Sequence, residues 1–203
     1  MNNFEKEIIK YFGKDQFKKI QSVTIGIAGL GGLGSNCSHN LIRCGFKKLI
    51  IVDFDKVELS NLNRQFYFLN QIGKRKVDAL KENLLKINPD IKITTYCEKL
   101  EKNNLKNIFK GCSIIIEAFD KAEYKSLIVE TFLPTDKFIV SASGLAGYGK
   151  SDEIKIHRLR KNLAIVGDLK SEASQDLPPL SPRVNIAAAK QADVVLNYIL
   201  KNI

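Results

Sequence analysis

The sequence predicts an α/β fold in which a mostly parallel sheet carries helices on both faces. Two observations lead there. Short β-branched runs alternate with helical patterns over most of the chain, a rhythm that sets successive strands side by side and covers them with the intervening helices. The first of those runs also empties into "GIAGLGGLGSN", Gly26 to Asn36, with five glycines in nine positions. That is the composition of a tight strand-to-helix turn, and it makes the expected architecture Rossmann-like.

The elements follow in order. Residues 1–21 form a charged amphipathic N-terminal helical segment. "SVTIGIAGL" is the first strand, followed by a helix from about Ser35 to Cys44 and the strand "KLIIVDF". A helix from Lys74 to Ile87 precedes the strand "IKITTY", and a short helix near Leu105 to Phe109 precedes "CSIIIEAF". A helix from Ala122 to Leu133 and the strand "KFIVSAS" complete the regular series. After Gly149, "EIKIHRL" and "LAIVG" read as antiparallel strands at the sheet edge. Residues 168–182, "DLKSEASQDLPPLSP", are polar and proline-rich and predict a mobile loop. A final amphipathic helix runs from Val184 to Leu200, offering Ala187, Ala188, Ala189, Ala192, Val195, Leu196 and Ile199 for packing.

With 203 residues, 44% of them hydrophobic, the chain can bury one sizeable core, and residues 1–203 are expected to form a single domain. No apolar run reaches membrane-spanning length and the N-terminus lacks the apolar centre of a signal peptide, so neither a membrane nor export is expected and the chain is placed in the cytoplasm. Cys37, Cys44, Cys97 and Cys112 include no C-x-x-C pair. They read as small buried residues of a reducing compartment, neither a disulfide framework nor a zinc site. The net charge of +10 comes mostly from dispersed lysine. It fits a lysine-rich coding bias or an acidic protein or polyphosphate partner equally well. No basic-aromatic ladder marks a nucleic-acid surface.

A glycine loop between strand and helix aims backbone N–H groups and the positive helix end at an anion. Gly29, Gly31, Gly32 and Gly34 meet the G-x-G-x-x-G spacing with one glycine added at Gly32. Asp53 closes the next strand 19 residues after Gly34, where a carboxylate accepts ribose hydroxyls. No Lys-Ser or Lys-Thr ends the loop, which excludes a Walker A motif. The loop alone does not separate hydride chemistry from other uses of a nucleotide. The next segment does: "DFDKVELSNLNRQFYF" supplies Asp55, Asn61, Arg64 and Gln65, and Lys76 opens the helix beyond it. Two extra cations beside the phosphates serve a transition state at phosphorus, not a hydride transfer. Taken singly, Arg64 and Lys76 are ordinary solvated cations and Asp120 is a helix N-cap. Gln65 and Asp55 can equally brace the loop through side chain to backbone bonds.

In this order, G-x-G-G-x-G, D-x-D-x-V-x-x-S-N-L-N-R-Q, the downstream lysine and a later aspartate, the sequence resembles the ThiF/MoeB/HesA family, relatives of the ubiquitin-activating enzymes. "IEAFDKAE", "SASGLAGYG" and "SPRVNIAAAKQA" are similar to its short ThiF branch. The resemblance implies a homodimeric sulfur carrier protein adenylyltransferase. Such an enzyme uses ATP and magnesium to adenylate the C-terminal Gly-Gly carboxylate of a ThiS-like ubiquitin-fold partner in thiamine (thiazole) biosynthesis, and releases pyrophosphate. It implies that Gly29, Gly31, Gly32 and Gly34 cradle phosphates, Asp53 holds ribose and Asn61, Arg64 and Lys76 bind the phosphate chain. Asp120 then binds magnesium, and Arg64, Lys76 and Asp120 are the catalytic set, with Asp55 and Gln65 in support.

The chain departs from the family in four places. It has no arginine before Arg43 to reach a partner subunit's site, which leaves Lys14, Lys18, Lys19 or Arg183 for that role. The paired C-x-x-C motifs and the crossover-loop cysteine of longer relatives are missing, so the chemistry is expected to stop at the acyl-adenylate without zinc. Lys121 and Lys125 stand where relatives often carry Asn and Arg. His39 and His157 fit no catalytic pattern and read as structural. "GLAGYG", Gly144 to Gly149, is either a path for the carrier tail, with the 168–182 loop closing over it, or a plain glycine-rich turn. The competing readings are a MoaD-like carrier, a tRNA threonylcarbamoyladenosine dehydratase, a nucleotide- or carrier-binding module without turnover, and an NAD-dependent oxidoreductase.

Overall fold

The computed structural model describes residues 1–202. Its sheet has seven strands: β1 Thr24–Ala28, β2 Lys48–Val52, β3 Lys92–Tyr96, β4 Ile114–Glu117, β5 Phe138–Ala142, β6 Lys155–Arg160 and β7 Leu163–Gly167. They lie in the order β3-β2-β1-β4-β5-β7-β6. All neighbours pair in parallel except β6 and β7. The Rossmann-like prediction therefore holds, with one refinement at the edge: β7 runs parallel to β5, and only β6 is antiparallel. The chain passes the β7 position, lays down β6 and returns by a tight hairpin, so two runs that look alike in sequence take opposite senses.

Alternation along each strand divides the apolar side chains between two cores. Ile25, Ile27, Leu49, Ile51, Ile114, Ile116, Phe138 and Val140 face one layer, which also contains Leu41, Leu80 and Val195. Ile115, Ile139, Val52 and Ala28 face the other, with Ile108, Phe109, Ile128 and Phe132. The first layer holds α1 Asn3–Ser22, α2 Gly32–Arg43, α3 Lys76–Leu85 and α6 Ser181–Asn202, with α2 and α6 packed together at its centre. The second holds α4 Leu105–Ile108 and α5 Ala122–Phe132.

Helix boundaries differ from the sequence expectation where caps decide them. The Asn2 side chain accepts the Glu5 amide at 2.9 Å and starts α1, and Gly13, at φ +75°, breaks the helical path inside it. α2 begins at Gly32, three residues earlier than expected, because low-propensity glycines are tolerated in a first turn whose N–H groups have no helical partner in any case. α6 begins at Ser181, inside the segment predicted as loop. Proline needs no amide hydrogen there, so Pro182 sits in the first turn without penalty. The rest of the predicted loop, from Asp168, carries no helix or strand.

One cysteine corrects the sequence reading. Cys37 and Cys112 are buried and Cys44 half-buried, but Cys97 is exposed, one residue past the edge strand β3. Burial pushes the Cys112 thiol up to about 12 and the Cys37 and Cys44 thiols upward as well, which suppresses nucleophilic thiolate at those three positions. His39 packs on Phe66, with ring centroids 4.4 Å apart, and His157 meets the Gly167 carbonyl at 3.0 Å. Among the described residues no helix is long and apolar enough to cross a membrane.

Candidate functional site

A cavity of about 950 Å³ opens at the carboxyl ends of the strands, where the strand order reverses between β1 and β4. The four loop glycines do different work around it. Gly29, at φ +89°, turns the chain out of β1 in a conformation that other residues rarely adopt. A Cβ on Gly34 would lie 1.9 Å from the Gly29 carbonyl oxygen, so Gly34 lets helix and strand touch and does not line the cavity. A Cβ on Gly32 would meet Val184 Cγ1 at 2.7 Å, a packing contact with α6. Gly31 is the open one: a Cβ there would find only the Gln65 carboxamide, at 3.8 Å, and would project into space a ligand could use. Gly31 caps α2 without a side chain and the first turn has no acidic residue, so the unpaired amides of Gly32, Leu33 and Gly34 present a positive end.

Asp53, 9% exposed, flanks this loop. Its carboxylate accepts the Leu30 amide at 2.6 Å and the Asp55 amide at 2.8 Å. Burial pushes its pKa up, opposed by nearby Lys76 and by those amides. Lys76, the first residue of α3, is almost fully buried and donates to Asp55 Oδ2 at 2.9 Å. Asp55, second-rank by sequence, thus holds the lysine directly.

Arg64 is half-buried, and its Nη1 reaches Asn63 Oδ1 at 2.7 Å and the Ser60 carbonyl at 3.3 Å. Asn61 Oδ1 accepts the Glu58 amide at 3.1 Å and shapes the same turn. Gln65 is buried against the loop, and its Oε1 has no partner among the described residues.

Three ties from α2 and the glycine loop secure this arm. The Tyr67 hydroxyl donates to the Leu30 carbonyl at 2.8 Å, the Phe66 amide to Ser35 Oγ at 3.0 Å and Asn36 Nδ2 to the Arg64 carbonyl at 2.8 Å. Sequence reading passed over Ser35, Asn36 and Tyr67. The available signal was two polar residues directly after the last glycine, on the first turn of a helix that otherwise packs into the core.

Asp120 is exposed three residues beyond β4 and lines the cavity. It is not the N-cap of α5, since that position belongs to Lys121, which makes no capping bond. Just inside it, Glu117 is fully buried and Lys125 lines the cavity with its ammonium committed to Glu117. Magnesium takes few protein carboxylates and completes its shell with phosphate and water oxygens. Asp120, an exposed carboxylate lining the same cavity as the glycine loop, suits it, and among the described residues no group of three or more His, Cys, Asp or Glu that could hold a metal ion is assembled.

At the far wall, the 168–180 segment lies on the Gly144–Gly147 turn. The Ala146 amide donates to Ser171 Oγ at 3.1 Å and the Gly147 amide to the Pro178 carbonyl at 2.9 Å. Arg183, 4% exposed, grips Asp168 Oδ2 at 2.5 Å and the Gly149 carbonyl at 3.2 Å. These bonds within its own chain remove Arg183 from the list of substitutes for the missing N-terminal arginine. Lys14 and Lys18 stay exposed on α1. For Asp168, burial raises the pKa, but the Ser171 and Lys170 amides, the Ser171 hydroxyl and Arg183 outweigh it and hold the carboxyl at about 2.

Fold and site together define a doubly wound α/β protein with a glycine-loop crevice at the carboxyl ends of its strands. A family model described as the ThiF family matches residues 4–200, and the chain belongs to that family. It is 33% identical over 150 residues to SUMO-activating enzyme subunit 2 of Dictyostelium discoideum, covering 73% of this chain and 22% of that protein. It is 43% identical over 82 residues to ubiquitin-like modifier-activating enzyme 5 of Caenorhabditis elegans, covering 40% of this chain and 20% of that protein. The chain therefore matches about a fifth of the length of these relatives.

Among solved structures, E. coli tRNA N6-threonylcarbamoyladenosine dehydratase TcdA, in complex with ATP, superposes with a TM-score of 0.82 at 18% identity, over 97% of this chain and 91% of that one. E. coli MccB with AMPCPP and MccA gives a TM-score of 0.74 at 21% identity, over 98% and 64%. At these identities the likeness speaks for the fold.

Proposed function

We propose that this protein is an adenylyltransferase that activates the C-terminal Gly-Gly carboxylate of a ThiS-like sulfur carrier with ATP. The observation that carries the reading is convergence: the α2 N-terminus, Asp53, Arg64, Lys76 and Asp120 border one cavity, whose far wall includes Gly144, Leu145 and Ala146. A carrier tail would enter along Leu145 and Ala146, since the Cβ directions of Gly144 and Gly147 already point at Asp168 and Leu177. In the reaction a carboxylate oxygen of the tail bonds to the α-phosphorus of ATP, the bond to the bridging oxygen breaks and pyrophosphate departs. The loop amides, with Asn61 and Gln65, hold the polyphosphate, Asp53 accepts from the ribose hydroxyls, and Arg64 and Lys76 spread the charge that builds on the phosphates. Magnesium, held by Asp120, would neutralise the leaving pyrophosphate.

No thiol takes part, and the product is the acyl-adenylate. The working form is a homodimer in the cytoplasm. In support, the arm around Arg64 exposes Phe54, Leu59, Phe68, Leu69 and Ile72, apolar surface that a second copy would cover.

The test is isotope exchange between pyrophosphate and ATP, with and without a carrier ending in Gly-Gly. Carrier-dependent exchange that disappears in Arg64→Ala and Asp120→Ala, both still folded, is expected. Running ThiS-like and MoaD-like carriers side by side names the substrate. No exchange with either, and ATP hydrolysis stimulated by tRNA instead, would move the assignment to a dehydratase.

A further inference from the structure

Glu117 is a charged residue with no exposed surface, on a central strand and one turn away from the proposed magnesium ligand. Its carboxylate ties together three segments that line the cavity. Oε1 accepts the Phe119 amide at 2.7 Å, which fixes the backbone directly before Asp120. Oε2 accepts the Ser141 hydroxyl at 2.5 Å, on β5. Both oxygens receive the Lys125 ammonium at 3.3 Å, and that ammonium also donates to the Ala142 carbonyl at 2.8 Å, where β5 runs out toward Gly144. From the opposite layer, Gln191 of α6 donates to the Glu117 carbonyl at 3.2 Å.

Taking a carboxylate and an ammonium out of water offsets most of their attraction, and apolar replacements often serve stability equally well. What an apolar pair cannot do is fix the direction of four acceptor and donor groups at once. The ties end on the 118–120 turn on one side of the crevice and on the β5 exit on the other, the two segments that would flank the reacting phosphate.

We infer that Glu117 and Lys125 are positioning residues that hold Asp120 at the geometry needed for magnesium-bound ATP and set its spacing from the β5 exit. Lys125, although it borders the cavity, has its ammonium bound between Glu117 and the Ala142 carbonyl, and its part is to hold those two groups together. The inference rests on the assignment of Asp120 to magnesium and not on the identity of the carrier.

The experiment is calorimetric titration of the purified full chain with ATP, with and without magnesium, and without any carrier. The Glu117→Gln/Lys125→Met double variant removes both charges together, so no buried ion is left unpaired. Its Tm is expected within a few degrees of wild type. Its ATP affinity without magnesium is expected to be unchanged, while the tightening produced by magnesium falls about tenfold or more, the usual effect of losing a group that orients a metal ligand. Asp120→Ala should show the same loss, and Lys125→Arg, which keeps the charge, should retain most of the tightening.

If the double variant does not fold, Ser141→Ala removes a single tie and is scored the same way, with about a threefold loss expected. A folded variant with the full magnesium effect, or a wild-type protein with no magnesium effect, would overturn the inference. A wild-type protein that shows the magnesium effect but no exchange with any carrier would overturn only the substrate assignment.

Discussion

The Lys76 ammonium and the Asp55 carboxylate lie 2.9 Å apart, with the lysine side chain 7% exposed and the aspartate 50% exposed. A cation is thus stored inside the site against a partner that can turn to solvent. Under the proposed function, polyphosphate entering the cavity would replace that partner without drawing the lysine from a wet surface. Asp55→Asn should therefore lower the Tm of the nucleotide-free protein by about 3 °C, equivalent to roughly 1 kcal/mol in a chain of this size. The same variant should show a larger rise in Tm than wild type on adding ATP. Thermal scans with and without ATP check this, and an equal ATP-induced rise in both proteins would count against the exchange of partners.

If Asp53 holds the ribose as proposed, ATP binding should depend on pH. Its carboxyl in the folded protein titrates above its ordinary value of 3.8, chiefly through burial, and only the ionised form accepts from both ribose hydroxyls. ATP affinity is expected to fall as pH drops through that raised pKa. Asp53→Asn should bind ATP more weakly at neutral pH and lose this dependence. Affinity measured in steps from pH 7.5 to 4.5, with adenosine as a probe that carries no titrating phosphate, decides the point.

The Asp168–Arg183 pair predicts a stability gap with a defined sign. A carboxyl at about 2 when folded and at its ordinary 3.8 when unfolded stabilises the fold above the unfolded value, and the contribution is lost as pH falls through the folded one. Asp168→Asn should cost about 2 kcal/mol at pH 7 by urea unfolding. The difference from wild type should narrow below about pH 4. A gap that stays constant down to pH 3 would show that the bonds around Asp168 do not depend on its charge.

The glycines separate folding from binding. Gly34→Ala drives a Cβ onto the Gly29 carbonyl, 1.9 Å away, and should lower the Tm sharply. Gly31→Ala meets nothing closer than 3.8 Å and should fold with a near-wild-type Tm, yet lose ATP binding because its methyl group occupies ligand space. Circular dichroism melts beside ATP titration distinguish the two. A Gly31→Ala protein with normal ATP affinity would remove that residue from the phosphate cradle.

Much of the fold was legible because its signals are local. Apolar runs marked the strands, and Gly29 through Asp53 marked the cavity's glycine-loop side in a single stretch. What stayed hidden depends on the path of the chain. Asp55 and Lys76 are 21 positions apart and Asp168 and Arg183 are 15 apart, so neither pairing follows from spacing. Glu117 ends an isoleucine run, and its burial rests on partners far along the chain, with Ser141 and Lys125 on its carboxylate and Gln191 on its carbonyl. Cys97 misled, because a small residue after a strand reads as core unless the strand is known to be an edge. The antiparallel sense expected for β7 likewise gave way once the order of all seven strands was known.

The first turn of α6 touches both ends of the crevice. Val184 sits where a Cβ on Gly32 would be, under the phosphate loop, and its neighbour Arg183 clasps Asp168 at the root of the segment lying over Gly144–Gly147. One helical turn is therefore a shared abutment, bearing the glycine loop on one side and the root of the 168–180 segment on the other.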